Sequence, residues 1–262
     1  MPGGLCGLTD NETIPTDKLL GTRQSRILAY PFSSDEQARL RVTELKSAGI
    51  TALEFTGRTL IDGIPILGKG CVGIVVRAIF DNNRVALKIR RGDANRATMV
   101  EEGRLLRIAN SVGVGPRLIA ATKNLLVMEF FDGLPLFRWV DGLNTRASSR
   151  VGGVLSQLLT DCFRLDAIGL DHGELSHAPR NVLVNPTGAS CIVDFESASA
   201  TRRVANVTSL IQYFLFGKIS RRIRAIKKFP EKRTILRALS YYKTQQSVES
   251  FQALLRLLDL SV

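Results

Sequence analysis

Between Leu67 and Val75 the chain reads Leu-Gly-Lys-Gly-Cys-Val-Gly-Ile-Val, three glycines at the spacing G-x-G-x-x-G-x-V. Glycines spaced in this way let backbone amides approach phosphate oxygens with no side chain between them, so the chemistry suggested is the holding of a phosphorylated ligand. The same spacing satisfies the dinucleotide-binding fingerprint, but that motif needs a helix after its glycines. Ile74-Val75-Val76-Arg77-Ala78-Ile79-Phe80 is β-branched and predicts a strand. Another phosphate-loop pattern, G-x-x-x-x-G-K, is met by Gly63 to Lys69, yet Gly70 stands where a magnesium-binding Ser or Thr belongs, and again no helix follows. Both alternatives fail on context.

A glycine loop between two strands is similar to the arrangement in protein kinases, and the resemblance implies a lysine on the next strand. Val85-Ala86-Leu87-Lys88 supplies it. Lys88 would contact the α- and β-phosphates of ATP, paired with a carboxylate on the following helix, where Glu101 and Glu102 are available and Glu102 has the better position. Gly68, Lys69, Gly70, Cys71, Val72, Gly73, Val75 and Ala86 would complete the nucleotide contacts. Leu125 to Gly133 resembles the kinase strand and hinge, with Met128 lining the pocket and backbone groups of Glu129 and Phe131 meeting the adenine edge.

Further on, Asp171-His172-Gly173-Glu174-Leu175-Ser176 resembles the His-Gly-Asp-Leu catalytic loop of the RIO kinases and of the small kinase of the KEOPS complex. Ile192-Val193-Asp194-Phe195-Glu196 resembles their magnesium-binding Asp-Phe-Gly segment. The stretch from Leu67 to Phe216 most resembles a group of archaeal serine/threonine protein kinases. In that likeness Asp194 holds Mg2+, with Asn181 as a second ligand, and Glu174 accepts the proton of a substrate hydroxyl. Two departures stand out. Glu174 replaces an aspartate, and Asn181 follows it by seven residues where ordinary kinases have five, so Ala178-Pro179-Arg180 must bulge. His172 reads as a packed scaffold residue; His177 could face solvent or substrate.

The elements that would position these residues follow from pattern. Residues 1–32 form an irregular leader; a helix begins at a capping box of Ser33 and Glu36 and stops at Gly49, and Ile50 to Phe55 is a strand. Strands are expected at Ile64–Leu67, Gly73–Phe80, Arg84–Ile89, Leu118–Ala121 and Leu125–Phe130, and helices at Thr98–Ala109, from Ser148, and at Val204–Phe216. Strands first and helices after predict an α+β chain. The kinase likeness makes it a two-lobed fold: an N-terminal extension over 1–60, a β-rich N-lobe over 61–131, and a reduced helical C-lobe over 132–262. The helix expected at Val204 leaves little room for an activation loop, and 68 residues follow Asp194, fewer than a full kinase helical lobe.

Composition bounds the partners. Thirty-six Lys+Arg against 24 Asp+Glu give a formal charge of +12, a field that favours nucleotide, nucleic acid or an anionic surface. Ten cations against one acid lie between residues 217 and 243, an expected surface for RNA or an acidic partner. Cys6, Cys71, Cys162 and Cys191 are scattered, and the two histidines offer no ordinary zinc set. With no signal-like start and no apolar run near the ~20 residues of a membrane helix, a cytoplasmic protein without a membrane span is expected. Three functional readings stay open: an ATP- and Mg2+-dependent serine/threonine protein kinase, able to autophosphorylate; a pseudokinase or ATPase-type nucleotide switch in an RNA-related assembly; and a small-molecule kinase acting on another hydroxyl.

Overall fold

The computed structural model describes residues 12–177 and 180–260. Residues 1–11 of the expected leader, with Cys6, lie outside the described residues, as do Ala178 and Pro179 of the expected bulge. The chain is α+β, rich in strands in its first half and helical in its second. It divides into two compact units, one running to Gly103 and resuming over Arg117–Phe130, the other taking Arg104–Pro116 and the chain from Phe131.

The first unit contains β1 (Glu12–Pro15), α1 (Asp35–Ser47), β2 (Ile50–Phe55), β3 (Thr59–Ile61), β4 (Ile64–Ile66), β5 (Gly68–Lys69), β6 (Gly73–Phe80) and β7 (Asn83–Arg90). After α2 (Val100–Asn110) it regains β8 (Leu118–Ala121) and β9 (Leu125–Glu129). Antiparallel pairing orders the main sheet β1-β2-β6-β7-β9-β8, with β5 joined to β6, while β3 and β4 form a separate hairpin. Residues of the expected 1–60 extension therefore supply two strands to the same sheet as the glycine-flanked strands. They enter it because β2 carries Leu53 and Phe55, fully buried side chains that need a partner face.

The β6–β7 hairpin turns on Asp81 and Asn82, whose φ angles of 48° and 59° match the right-handed twist of the strands they join. Strand side chains alternate between faces. One face of the sheet therefore carries Ile74, Val76, Ala78, Val85, Leu87 and Ile89, all buried, against Ala38, Val42 and Leu45 of α1. That helix is capped by Ser34, whose hydroxyl accepts from the Gln37 amide at 3.2 Å. The cap is one residue later than the Ser33 pattern predicts, because Ser34 and Gln37 satisfy the same three-residue spacing.

The second unit opens with β10 (Leu134–Pro135), α3 (Leu136–Asp141) and α4 (Ser148–Ala167). Strands β11 (Val182–Val184) and β12 (Ser190–Ile192) follow, then α5 (Asn206–Phe216), α6 (Ser220–Ile226), α7 (Lys232–Gln245) and α8 (Val248–Leu257). Strands β10, β11 and β12 form an antiparallel three-stranded sheet. The α4 stripe of Val151, Leu155, Leu158, Cys162 and Leu165 is buried, as its period predicts. Helix α5 starts at Asn206, two residues after the expected Val204. The basic stretch forms two helices separated by residues 227–231, where Pro230 cannot continue a helix. No helix among the described residues is long and apolar enough to cross a membrane.

Candidate active site

In the first unit the register sets Val75 opposite Lys88 and Ala86 opposite Met128. Lys88 and Ala86 are two residues apart on β7, so Val75, Ala86, Lys88 and Met128 share the face of the sheet turned away from the Ile74–Leu87 core. Lys88 is buried, at 4% exposure, and its Nζ lies 2.9 and 3.0 Å from the two carboxylate oxygens of Glu102, which is equally buried. Glu101 is exposed. Gly73 is fixed by this side chain: a Cβ there would stand 2.7 Å from Lys88 Cγ and 3.1 Å from the Ile89 carbonyl.

The glycine segment is a tight hairpin. Gly68 pairs with Val75 and Lys69 with Ile74, and the Gly70 amide donates to the Gly73 carbonyl at 2.8 Å. Its tip is held by Arg91, which donates from Nη1 to the Gly70 carbonyl at 2.9 Å and from its backbone N–H to the Val72 carbonyl at 2.8 Å. Val72 is buried and Cys71 exposed. The Lys69 ammonium donates to the Tyr30 hydroxyl and lies over the same ring, 4.6 Å from its centroid. At the end of β9 the Glu129 N–H already donates to the Arg117 carbonyl at 2.9 Å, and the Glu129 side chain is exposed. Phe131 falls in the second unit, where its ring covers Gly133.

In the second unit the loop carboxylate is clamped. Asn181 Nδ2 donates to one oxygen of Glu174 at 3.0 Å, and the Ser197 hydroxyl donates to the other. Asn181 is therefore beside Glu174 despite the longer spacing. Its carbonyl accepts the Val193 N–H at 2.9 Å, which ties the asparagine to the residue before Asp194. Asp194 adopts the left-handed region, φ 69° and ψ 74°, an uncommon conformation for a residue with a Cβ and one that clusters at functional sites.

His172 is fully buried, and desolvation lowers its pKa. Its Nε2 meets the Val193 carbonyl at 3.1 Å and its ring packs on Phe195, with centroids 4.9 Å apart. Those contacts make it a scaffold between the Glu174 loop and the Asp194 segment.

Several residues of this scaffold escape sequence reasoning. The His172 backbone N–H donates to Asn206 Oδ1 at 2.8 Å, and the Asn206 side-chain amide donates to Asp166 and to the Leu170 carbonyl, each at 2.8 Å. Asp166 also accepts from the first amides of α5 and from the Tyr242 hydroxyl at 2.9 Å. Burial pushes the Asp166 pKa up, against the pull of these donors. Asp171 holds the segment after Asp194: it exchanges backbone bonds with Ser199, and its carboxylate takes Arg202 Nε and the Ala205 amide. The only local signals are an aspartate before the loop and an asparagine at a helix start; the side-chain partners lie 31 to 76 positions away and Ser199 lies 28 from Asp171.

Oxygen donors suit magnesium, which takes one or two protein carboxylates and fills its other positions with phosphate and water. Asp194 offers a carboxylate of that kind, and the Asn181 backbone carbonyl is bonded to the amide of the residue before it, while the Asn181 side chain meets Glu174. Among the described residues no group of three or more His, Cys, Asp or Glu forms a self-sufficient metal cage. A site of this composition fits a cation that arrives with a nucleotide.

No family model matches the sequence. Over 155 residues the chain is 29% identical to the probable serine/threonine-protein kinase PknB of Lactococcus lactis subsp. lactis (strain IL1403). The likeness points to the protein kinases. It covers 58% of this chain but 23% of that protein.

Proposed function

We propose that the chain is an ATP- and Mg2+-dependent atypical serine/threonine protein kinase of the RIO and KEOPS type, acting in the cytoplasm. The observation that carries this reading is the buried pair of Lys88, on the sheet that bears the glycine hairpin, with Glu102 of α2. Two charges taken out of water seldom stabilise a fold on balance, so their retention asks for a functional reason. Orientation of the nucleotide's phosphates supplies one.

In the proposed reaction a substrate hydroxyl oxygen bonds to the γ-phosphorus as the bond to the β,γ-bridging oxygen breaks. Glu174 takes the hydroxyl proton, and ADP leaves. Asn181 and Ser197 hold the Glu174 carboxylate in one orientation. Asp194, with Asn181, would hold Mg2+, which supplies charge neutralisation at the phosphates. The glycine hairpin, Val75, Ala86 and Met128 would receive the nucleotide. The basic 217–243 segment is read as a surface for an acidic partner or RNA.

Incubation of the purified protein with labelled ATP and Mg2+, alone and with candidate substrates, is expected to label the protein itself or a substrate, and Asp194→Ala to abolish that labelling. ATP binding without any Asp194-dependent transfer would replace this reading with the nucleotide switch, which Glu174 in place of aspartate favours. Transfer confined to low-molecular-weight hydroxyls would make the chain a small-molecule kinase.

A further inference from the structure

The basic segment is not a uniform face. Lys227 is buried and its Nζ meets Asp259 at 2.7 Å, Arg222 donates to the Leu143 carbonyl, and Arg224 donates to the Leu215 carbonyl at 3.4 Å. These cations serve the packing of α6. Of the exposed ones that remain, Lys218, Arg221 and Lys228 precede α7, and Lys232, Arg233, Arg237 and Lys243 lie on it, where Lys232 borders an open groove of about 440 Å³.

That groove lies wholly within the second unit. It begins at Ser176, two residues after Glu174, and runs over Tyr213 and Phe216 of α5 to Lys232 and Leu236 of α7. Lys232 stands over the Phe216 ring, 5.3 Å from its centroid, and Leu236 is 40% exposed. Lys232 and Leu236 also border an adjoining depression of about 530 Å³ whose other walls include Arg233 and Arg237. Among the described residues no carboxylate lines either one. An apolar floor that starts at Ser176, two residues along the chain from Glu174, thus ends among three cations within the first two turns of α7.

We infer that this groove binds the protein substrate, and that its occupant is an acidic peptide segment with an apolar side chain near the phosphoacceptor. The inference rests on the kinase reading and names the substrate class for it. The apolar floor takes the hydrophobic residue, while Lys232, Arg233 and Arg237 meet carboxylates further along the same strand of peptide. A single-stranded RNA would satisfy the cations and stack a base on the Phe216 ring, but the exposed aliphatic surface of Leu236 asks for an apolar side chain to cover it.

The test is binding by fluorescence anisotropy to the full chain. Three probes are used: a labelled peptide with one serine, one leucine and a run of glutamates; its glutamine counterpart; and a single-stranded RNA of matched charge. The acidic peptide should bind at least tenfold more tightly than the glutamine one and weaken as salt rises. The triple variant K232E/R233E/R237E should lose that preference by tenfold or more, while its melting temperature and ATP affinity hold. Leu236→Ser should weaken the peptide severalfold and leave RNA unaffected.

Equal binding of both peptides, tighter binding of RNA, or indifference to the charge reversal would overturn the proposal. Binding does not require transfer, so Asp194→Ala keeps the two readings apart. Acidic-peptide binding that persists in a protein without transferase activity would sink the kinase reading and leave the groove standing.

Discussion

A buried lysine and a buried glutamate within 3.0 Å of each other make the most committed arrangement in the chain. Removing one partner takes the Glu102 carboxylate away from a buried ammonium, so Glu102→Gln should cost about 3–5 kcal/mol by denaturant unfolding. The double variant K88M/E102M should recover most of that loss, because two apolar side chains of similar volume fill the same space. ATP affinity should be lost in both variants. Recovery of stability without recovery of binding would identify the pair as functional, whereas parallel recovery would make it a packing feature.

Sequence reasoning reaches Lys88 through the likeness of the glycine loop to that of protein kinases, which implies a lysine on the strand that follows. It reaches Glu102 by helical position. The pairing of Asp166 with Tyr242 is invisible to such reasoning, since nothing local distinguishes a carboxylate that will meet a tyrosine 76 positions later. The roles of Asp171 and Asn206 show only as an aspartate before the loop and an asparagine at a helix start.

At the scale of elements, most of the strands and helices are legible because each buries one face and shows its period. A departure comes where two local solutions compete: Ser34 displaces Ser33 as the cap of α1. The longer spacing from Glu174 to Asn181 looks like a defect in sequence. The hairpin of β11 and β12 and the Val193 bond nevertheless fix the Asn181 backbone just before Asp194, and its side chain meets Glu174.

The loop before Glu174 depends on Gly173, at φ 87°, where a Cβ would collide with the Arg202 guanidinium and stand 2.6 Å from the Ser197 carbonyl. Gly173→Ala should therefore destabilise the chain by about 1–3 kcal/mol in thermal denaturation. Gly68, whose Cβ would meet nothing within 4 Å, is the contrast. Gly68→Ala should change stability by no more than about 0.5 kcal/mol. A matching loss at both positions would remove the distinction drawn from the geometry.

For the whole molecule, pH is the accessible variable. Burial raises the Asp161 pKa from 3.8 to about 6, only partly offset by Arg164 at 3.3 Å. An acid whose pKa is raised by folding binds its proton more readily in the native state, so stability falls as pH rises from about 4 through about 6 and stays reduced above that. Asp161→Asn removes the penalty. Its melting temperature should exceed the parent's at pH 8, by a gain on the order of 1 kcal/mol, and converge with it below pH 4. A constant offset across pH would assign the change to the lost Arg164 contact instead.

The staple of Asp171 on Ser199, Arg202 and Ala205 carries a consequence for control. It fastens the stretch between Asp194 and α5 near its middle, with groups the chain itself supplies. A stretch already ordered in this way has no use for a phosphate group to order it. Treatment with a phosphatase before assay should leave the rate of transfer unchanged, and a large drop would show that the staple alone does not suffice. Such an enzyme would be constitutive, with its output set by how much of it is made and how much substrate it meets.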